Sequence, residues 1–147
     1  MAGSRVRDCV NAAVDALKVD ATLLATLGTS KVGTHLAQGT DAPYVLVMGG
    51  DEIPWAETME FDGDDGDSGG RQVDVLVQCV STYRGTSQVD TIADRVMEVL
   101  TSAATWSAVS GFAVAVFIRN AAQPPIDLNS DGVLWFARQV TVRVTLV

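Results

Sequence analysis

The pentapeptide Gly66-Asp67-Ser68-Gly69-Gly70 has the residue types that surround the nucleophilic serine of trypsin-like proteases. That chemistry needs a histidine base hydrogen-bonded to the serine and an aspartate that orients the histidine. The only histidine is His35, which is separated from Ser68 by a predicted strand and a loop, and Arg71 follows the pentapeptide where a proline is expected. Because Gly, Asp and Ser are also the residues of flexible turns, the sequence predicts a loop here and no catalytic group.

The acidic run Asp62–Asp67 is a second candidate for chemistry, because calcium takes oxygen ligands. An EF-hand loop needs acids at positions 1, 3 and 5, glycine at position 6 and glutamate at position 12. Counted from Asp62, position 5 is Gly66, position 6 is Asp67 and position 12 is Val73. The spacing of these residues does not match that of an EF-hand loop, so a solvated acidic loop is favoured over a weak calcium site.

No metal or cofactor is predicted elsewhere. Cys9 and Cys79 are too few for a disulfide framework and are expected to be small core residues in a reducing cytoplasm. Neither a GxGxxG nor a GxxxxGK[ST] sequence occurs, so nucleotide binding has no support. The chain lacks a paired acid and base on predicted rigid elements, and we expect it not to be an enzyme.

The net charge of -8 comes from one segment. Residues 51–67 contain eight acids and no Lys or Arg, while the remaining 10 acids match the 10 basic residues. An acidic surface argues against tight DNA binding. Within this segment Ile53, Pro54 and Trp55 form a short apolar island, which either folds back onto the core or anchors a partner.

The elements that would carry these residues follow from hydrophobic spacing. Helical periodicity marks two amphipathic helices, and alternation marks strands with one buried face. The longest unbroken apolar run, Phe112–Ile118, is too short for a bilayer, which needs roughly 20 residues, and no secretory signal is expected. In chain order we predict a helix over residues 5–18, a short helix over 21–27 capped by Asp20, strands over 31–36 and 43–48, a long loop, a strand over 71–82, a helix over 87–101, and strands over 112–120 and 133–147.

This order predicts an α+β fold in one domain over residues 1–147. We expect a mainly antiparallel sheet of four or five strands, with the two amphipathic helices packed on one face and a long acidic hairpin loop. The strand over residues 112–120 is apolar on both sides and is expected to be central. The final strand, over residues 133–147, is expected to be an edge that a neighbour completes.

The chain resembles the tail-terminator, or tail-completion, family of long-tailed bacteriophages and gene-transfer particles. The similarity lies in the N-terminal helix leading into Asp20–Leu24 and in the strand APYVLVMGG over residues 42–50. It continues in RQVDVLVQCVST with its following helix TSQVDTIADRVMEVL, and in DGVLWFARQVTVRV over residues 131–144.

The resemblance implies a structural virion protein that forms a ring, usually of six copies, without catalysis. Such a ring caps the tail tube, ends its polymerisation and joins the tail to the neck of the head. The implied partners are other copies of the chain, the tail tube protein and the head-neck stopper protein. DNA would pass through the ring without specific binding, and the protein would be made in the host cytoplasm and reside in the virion.

The acidic segment would then face a partner or the channel. Repeated around a ring, its acids would repel the DNA backbone. Two other interpretations stay open: the acids serve only solubility, or the segment becomes ordered only when it docks on a partner. The residues of this hypothetical loop site are Ile53, Trp55, Glu57, Glu60, Asp62, Asp64, Asp65, Asp67 and Arg71. Two alternative functions stay open: a neck stopper or minor tail protein, and a small ligand-binding α+β module with its pocket between sheet and helices.

Overall fold

The fold is a five-stranded sheet with helices on one face. The computed structural model describes residues 5–27, 31–34, 43–54, 71–81, 87–126 and 135–147. The helices are α1 (Arg5–Val19), α2 (Ala21–Leu27) and α3 (Ser87–Leu100), with a 3-10 turn at Ala103–Trp106. The strands are β1 (Val32–Gly33), β2 (Tyr44–Pro54), β3 (Arg71–Ser81), β4 (Phe112–Ile126) and β5 (Trp135–Leu146).

Both long helices bury the apolar stripe that their spacing predicts. In α1 and α3 the buried positions recur at intervals of three and four residues, so each helix lays one stripe on the sheet. Asp20 caps α2 as expected, because its Oδ2 accepts a hydrogen bond from the Leu23 N–H at 3.0 Å. The buried residues of the two long helices are Cys9, Val10, Ala13, Val14, Leu17, Val89, Ile92, Ala93, Val96 and Leu100.

The sheet is mixed. Its strand order is β1-β2-β3-β5-β4, and three of the neighbouring pairs are antiparallel while β1 pairs with β2 in parallel. The predicted α+β class and strand number are confirmed, and the parallel β1 is the departure from an antiparallel sheet. Alternate residues of β3 and β5 are buried under the helices, as their alternation predicts; these residues are Val73, Val75, Val77, Cys79, Val140, Val142, Val144 and Leu146.

The two strand positions predicted for the last third of the chain are wrong. β4 is an edge strand and not a central one, and β5 lies inside the sheet between β3 and β4. β4 also runs to Ile126, so Pro124 and Pro125 belong to the strand and not to a turn. Proline lacks the N–H that a central strand needs and is confined to strand edges and bulges. The two prolines are therefore compatible with the edge position that the structure gives β4.

Gly49 and Gly50 do not end β2, which continues to Pro54 through an irregularity in register. A Cβ at Gly49 would lie 2.2 Å from Cγ1 of Val6, and one at Gly50 would lie 2.3 Å from Cδ1 of Leu76. The glycines therefore let α1 approach the strand on one side and Leu76 on the other. At the same place the Arg5 N–H, at the start of α1, donates to Oε1 of Glu52 at 2.9 Å.

The core lies between the helices and the sheet and is closed by Trp106. The indole is fully buried, and its Nε1–H donates to the carbonyl oxygen of Leu100 at 2.7 Å, which satisfies the C-terminal end of α3. Phe112, the first residue of β4, stacks on Trp106 with ring centroids 6.4 Å apart. In the described part of the chain, no helix is both long enough and apolar enough to span a membrane.

Candidate assembly surface

The outer edge of β4 is the most conspicuous uncovered feature among the described residues. Among the described residues no strand pairs with this edge, which leaves a row of backbone N–H and C=O groups available to another chain. Its side chains are also apolar: Val114 and Val116 are each 47% exposed, and Phe117 and Ile118 are exposed beside them. Arg119 is the one charged residue of the strand. Natural edges are normally protected by charges, prolines or a cover, and β4 has only Arg119 and the two prolines near its far end.

The rest of the fold holds β4 in place. Gly111 precedes the strand with φ +80°, and its carbonyl oxygen accepts a hydrogen bond from the Val147 N–H at 2.7 Å. On the helix side, Arg138 of β5 donates from Nη1 to Oδ1 of Asn120 at 3.0 Å and from Nε to Asp90 of α3. The edge strand is therefore joined to β5 directly, to α3 through Arg138 and to Val147 through Gly111, and it offers a defined surface.

On one face of the sheet, no helix from the described part of the chain is packed. The centre of this face is an ion pair between β5 and β3: Arg143 donates from Nε to Oδ1 of Asp74 at 2.8 Å and from Nη2 to Oδ2 at 3.2 Å. Asp74 raises the pKa of Arg143 through these hydrogen bonds and its charge, and Asp51 adds to the effect. Pairing with β5 places Val116 opposite Arg143 and Arg119 opposite Thr141 on this open face.

A second edge is open on the opposite side of the sheet. β1 pairs with β2 only at Val45 and Leu46, so within the described ranges the outer edge of β2 is uncovered from Met48 onward. Ile53, near its end, is 44% exposed, and Asp51 beside it is exposed and belongs to none of the ion pairs found among the described residues. The chain thus carries two different open sheet edges, one containing Arg119 and the other Asp51.

A groove of about 840 Å³ runs along the outer side of the helices, between α1, α3 and the 3-10 turn. Its floor is made of small residues, among them Ala12, Ala16 and Ala104, and the Asp20–Arg95 ion pair lies on its wall. The layer between helices and sheet is filled by buried side chains. The groove is therefore not the pocket between sheet and helices that a ligand-binding module predicts.

Few of the residues predicted for the loop site can be placed. Ile53 is exposed at the open edge of β2, and Arg71 is half-buried at the start of β3 opposite Leu146. His35, Ser68 and the rest of the predicted loop site lie outside the described residues. Those remaining loop residues are Trp55, Glu57, Glu60, Asp62, Asp64, Asp65 and Asp67.

The titratable groups that the structure does describe form no evident site. Cys9 and Cys79 are buried free thiols, and burial raises their pKa values to about 11 and about 12. Across the described ranges no group of three or more His, Cys, Asp or Glu side chains is arranged to hold a metal ion. What the described residues offer is a pair of open sheet edges and an uncovered sheet face.

These features define a small α+β protein with two open sheet edges and an open sheet face among its described residues. The model of the family described as tail completion protein gp17 matches residues 11–123. The fold is also that of a chain in the virion of a native gene transfer agent particle, with a TM-score of 0.65, 20% sequence identity and 92% of each chain covered. None of the curated proteins matches the chain. The chain belongs to the tail completion protein gp17 family and is a structural protein of a phage-type tail.

Proposed function

We propose that this protein forms a closed ring, of six copies, that caps the tail tube, ends its polymerisation and joins the tail to the neck of the head. The role needs no catalysis. Its main support is the outer edge of β4, which is long, apolar and uncovered among the described residues. An edge of this kind is a template for strand addition by another chain.

A ring follows from the kind of contact that the chain offers. The open edges of β4 and β2 are different surfaces of one molecule, so a contact between them is heterologous. Heterologous contacts generate rings when the rotation closes and filaments when it does not. A tube end that binds the first ring would select the closed form, because it supplies the same rotational symmetry.

The acidic segment is proposed to face the channel or a docking partner. Its eight acids, repeated in each copy, would create a strong negative potential that keeps the DNA backbone from adhering during passage. The residues assigned to this role are Ile53, Trp55, Glu57, Glu60, Asp62, Asp64, Asp65, Asp67 and Arg71.

Light scattering and electron microscopy of the purified protein, alone and with purified tail tubes, test the proposal. We expect annuli of six subunits that attach to one end of the tube and stop its elongation. A monomer in every condition, tubes included, would contradict it. Attachment to head connectors in place of tube ends would favour a neck stopper, the alternative within the virion.

A further inference from the structure

The two open edges of the sheet carry complementary residues. On β4, Arg119 is exposed and, in the described part of the chain, takes part in no ion pair. On β2, Asp51 is exposed at the irregularity between Gly49 and Glu52, and Ile53 follows it. A sheet edge with an exposed cation can bind a second edge with an exposed anion, whose charge also acts on Arg143, and neither edge can bind itself equally well.

Strand directions also match. β2 and β5 run one way while β3 and β4 run the other, because each pair along β2-β3-β5-β4 is antiparallel. A rotation about an axis parallel to the strands therefore brings β4 of one copy against β2 of the next in antiparallel orientation. Such a pair extends the sheet with the ordinary antiparallel hydrogen-bond pattern.

The register follows from the side chains. β4 has an irregularity between Phe117 and Arg119, so Val116 is the residue that precedes Arg119 on the open face of the sheet. On β2 the residue that follows Asp51 on the same face is Ile53, by alternation along the strand. Setting Arg119 beside Asp51 thus sets Val116 beside Ile53, two side chains that are nearly half exposed in the single copy.

We propose that a second copy of this chain docks the outer edge of its β2 on the edge of β4, with Arg119 against Asp51 and Val116 against Ile53. The inference rests on the proposed ring and identifies the contact between its subunits. Pairing of β4 with β4 of another copy is the competing arrangement. It would bring two Arg119 side chains toward a two-fold axis and would leave the β2 edge uncovered.

Engineered cysteines distinguish the two arrangements. The full-length double variant Val116→Cys/Ile53→Cys, oxidised mildly, should give a ladder of covalent oligomers that ends at the ring, because disulfides form across adjacent strands. The single variant Val116→Cys is the matched control and should stay uncrosslinked. The native Cys9 and Cys79 are buried and can remain in both proteins. A covalent dimer of the single variant would reveal β4–β4 pairing and overturn the inference.

Charge reversal gives an independent test. Arg119→Glu or Asp51→Arg alone should weaken subunit association by about tenfold, and the double reversal should restore it to within about threefold of the wild type. If wild-type rings form but the double-cysteine variant gives no ladder, or the double reversal does not restore association, the β4–β2 contact is wrong while the ring stands. If the wild type stays monomeric with tubes present, the ring itself is wrong, and the contact with it.

Discussion

The guanidinium group of Arg95 donates two hydrogen bonds to the carboxylate of Asp20, from Nε to Oδ2 at 2.8 Å and from Nη2 to Oδ1 at 2.6 Å. The same carboxylate accepts the Leu23 N–H. One side chain in the short connection between α1 and α2 therefore caps α2 and also joins it to α3, where Arg95 lies.

This pair should make stability depend on acid. The hydrogen bond from Arg95 is the main cause that lowers the pKa of Asp20. A carboxyl whose pKa is lower in the folded protein contributes stability at neutral pH, and the contribution is lost as pH falls through the folded pKa. Asp20→Asn keeps an oxygen for the cap but removes the charge, so its stability deficit should be constant above about pH 5 and shrink below about pH 4.

Urea unfolding of the wild type and Asp20→Asn across this pH range measures the difference. Asp20→Ala is the companion variant and should be less stable than Asp20→Asn by about 1 kcal/mol at every pH, because it also loses the cap. A deficit of Asp20→Asn that is the same in strong acid as at neutral pH would contradict the ion-pair account.

Gly111 should be intolerant of a side chain. Its φ of +80° is strained for other residues, and a Cβ there would lie 2.4 Å from the carbonyl oxygen of Val147. We expect Gly111→Ala to lower the free energy of unfolding by about 2 kcal/mol. The neighbouring Ser110→Ala, at an exposed position, should stay within about 0.5 kcal/mol of the wild type. Equal denaturant midpoints for both variants would contradict this prediction, because they would show that the backbone at Gly111 shifts to accommodate a side chain.

Trp106 should stabilise the fold through its nitrogen as well as its bulk. Trp106→Phe keeps an aromatic ring but removes the donor to the carbonyl oxygen of Leu100, which then loses a buried partner. The expected loss is about 2 kcal/mol of unfolding free energy. Chemical denaturation measures it, with Ser102→Ala as control, because the exposed Ser102 side chain makes no capping hydrogen bond. A Trp106→Phe protein as stable as the wild type would mean that a water molecule replaces the indole N–H as the donor to the carbonyl oxygen of Leu100.

A charge on the edge of β4 should block assembly and leave the fold intact. Val114→Lys places a lysine where strand addition would bury it, as natural edge strands do to stay monomeric. We expect an unchanged melting temperature and a loss of oligomers in light scattering. Val19→Lys, at the end of α1 and more exposed than Val114, should assemble normally. Loss of assembly in the Val19 variant and not in the Val114 variant would move the contact to the helix side.

The two cysteines should be unreactive in the folded protein. Burial raises the pKa of Cys9 to about 11 and that of Cys79 to about 12, so the reactive thiolate is scarce at neutral pH. A thiol reagent at about pH 8 should label neither until denaturant unfolds the chain, and then label both. Rapid labelling of one cysteine in native protein would show that its segment opens.

The spacing of apolar residues predicts most of the helices and strands and their buried faces. Intervals of three and four residues in α1 and α3, and of two in β3 and β5, identify the core because each regular structure presents its side chains with a fixed period. The helix cap at Asp20 is also predictable from the sequence, because its carboxylate and the backbone N–H three residues later lie close together in any helix that starts there. The family resemblance, confirmed by the match over residues 11–123, rests on the order of these same elements.

Which strand forms the edge of the sheet, and with it the proposed contact between copies, follows from the tertiary fold. Strand order depends on pairings between residues far apart in the chain, such as Val75 with Val142, and alternation within one strand does not report its neighbours. The apolar residues on both sides of β4 were consistent with burial in a single chain, and equally with burial in an assembly. Hydrophobicity predicts that a surface is covered; among the described residues nothing covers the outer edge of β4, and we propose that a second copy does.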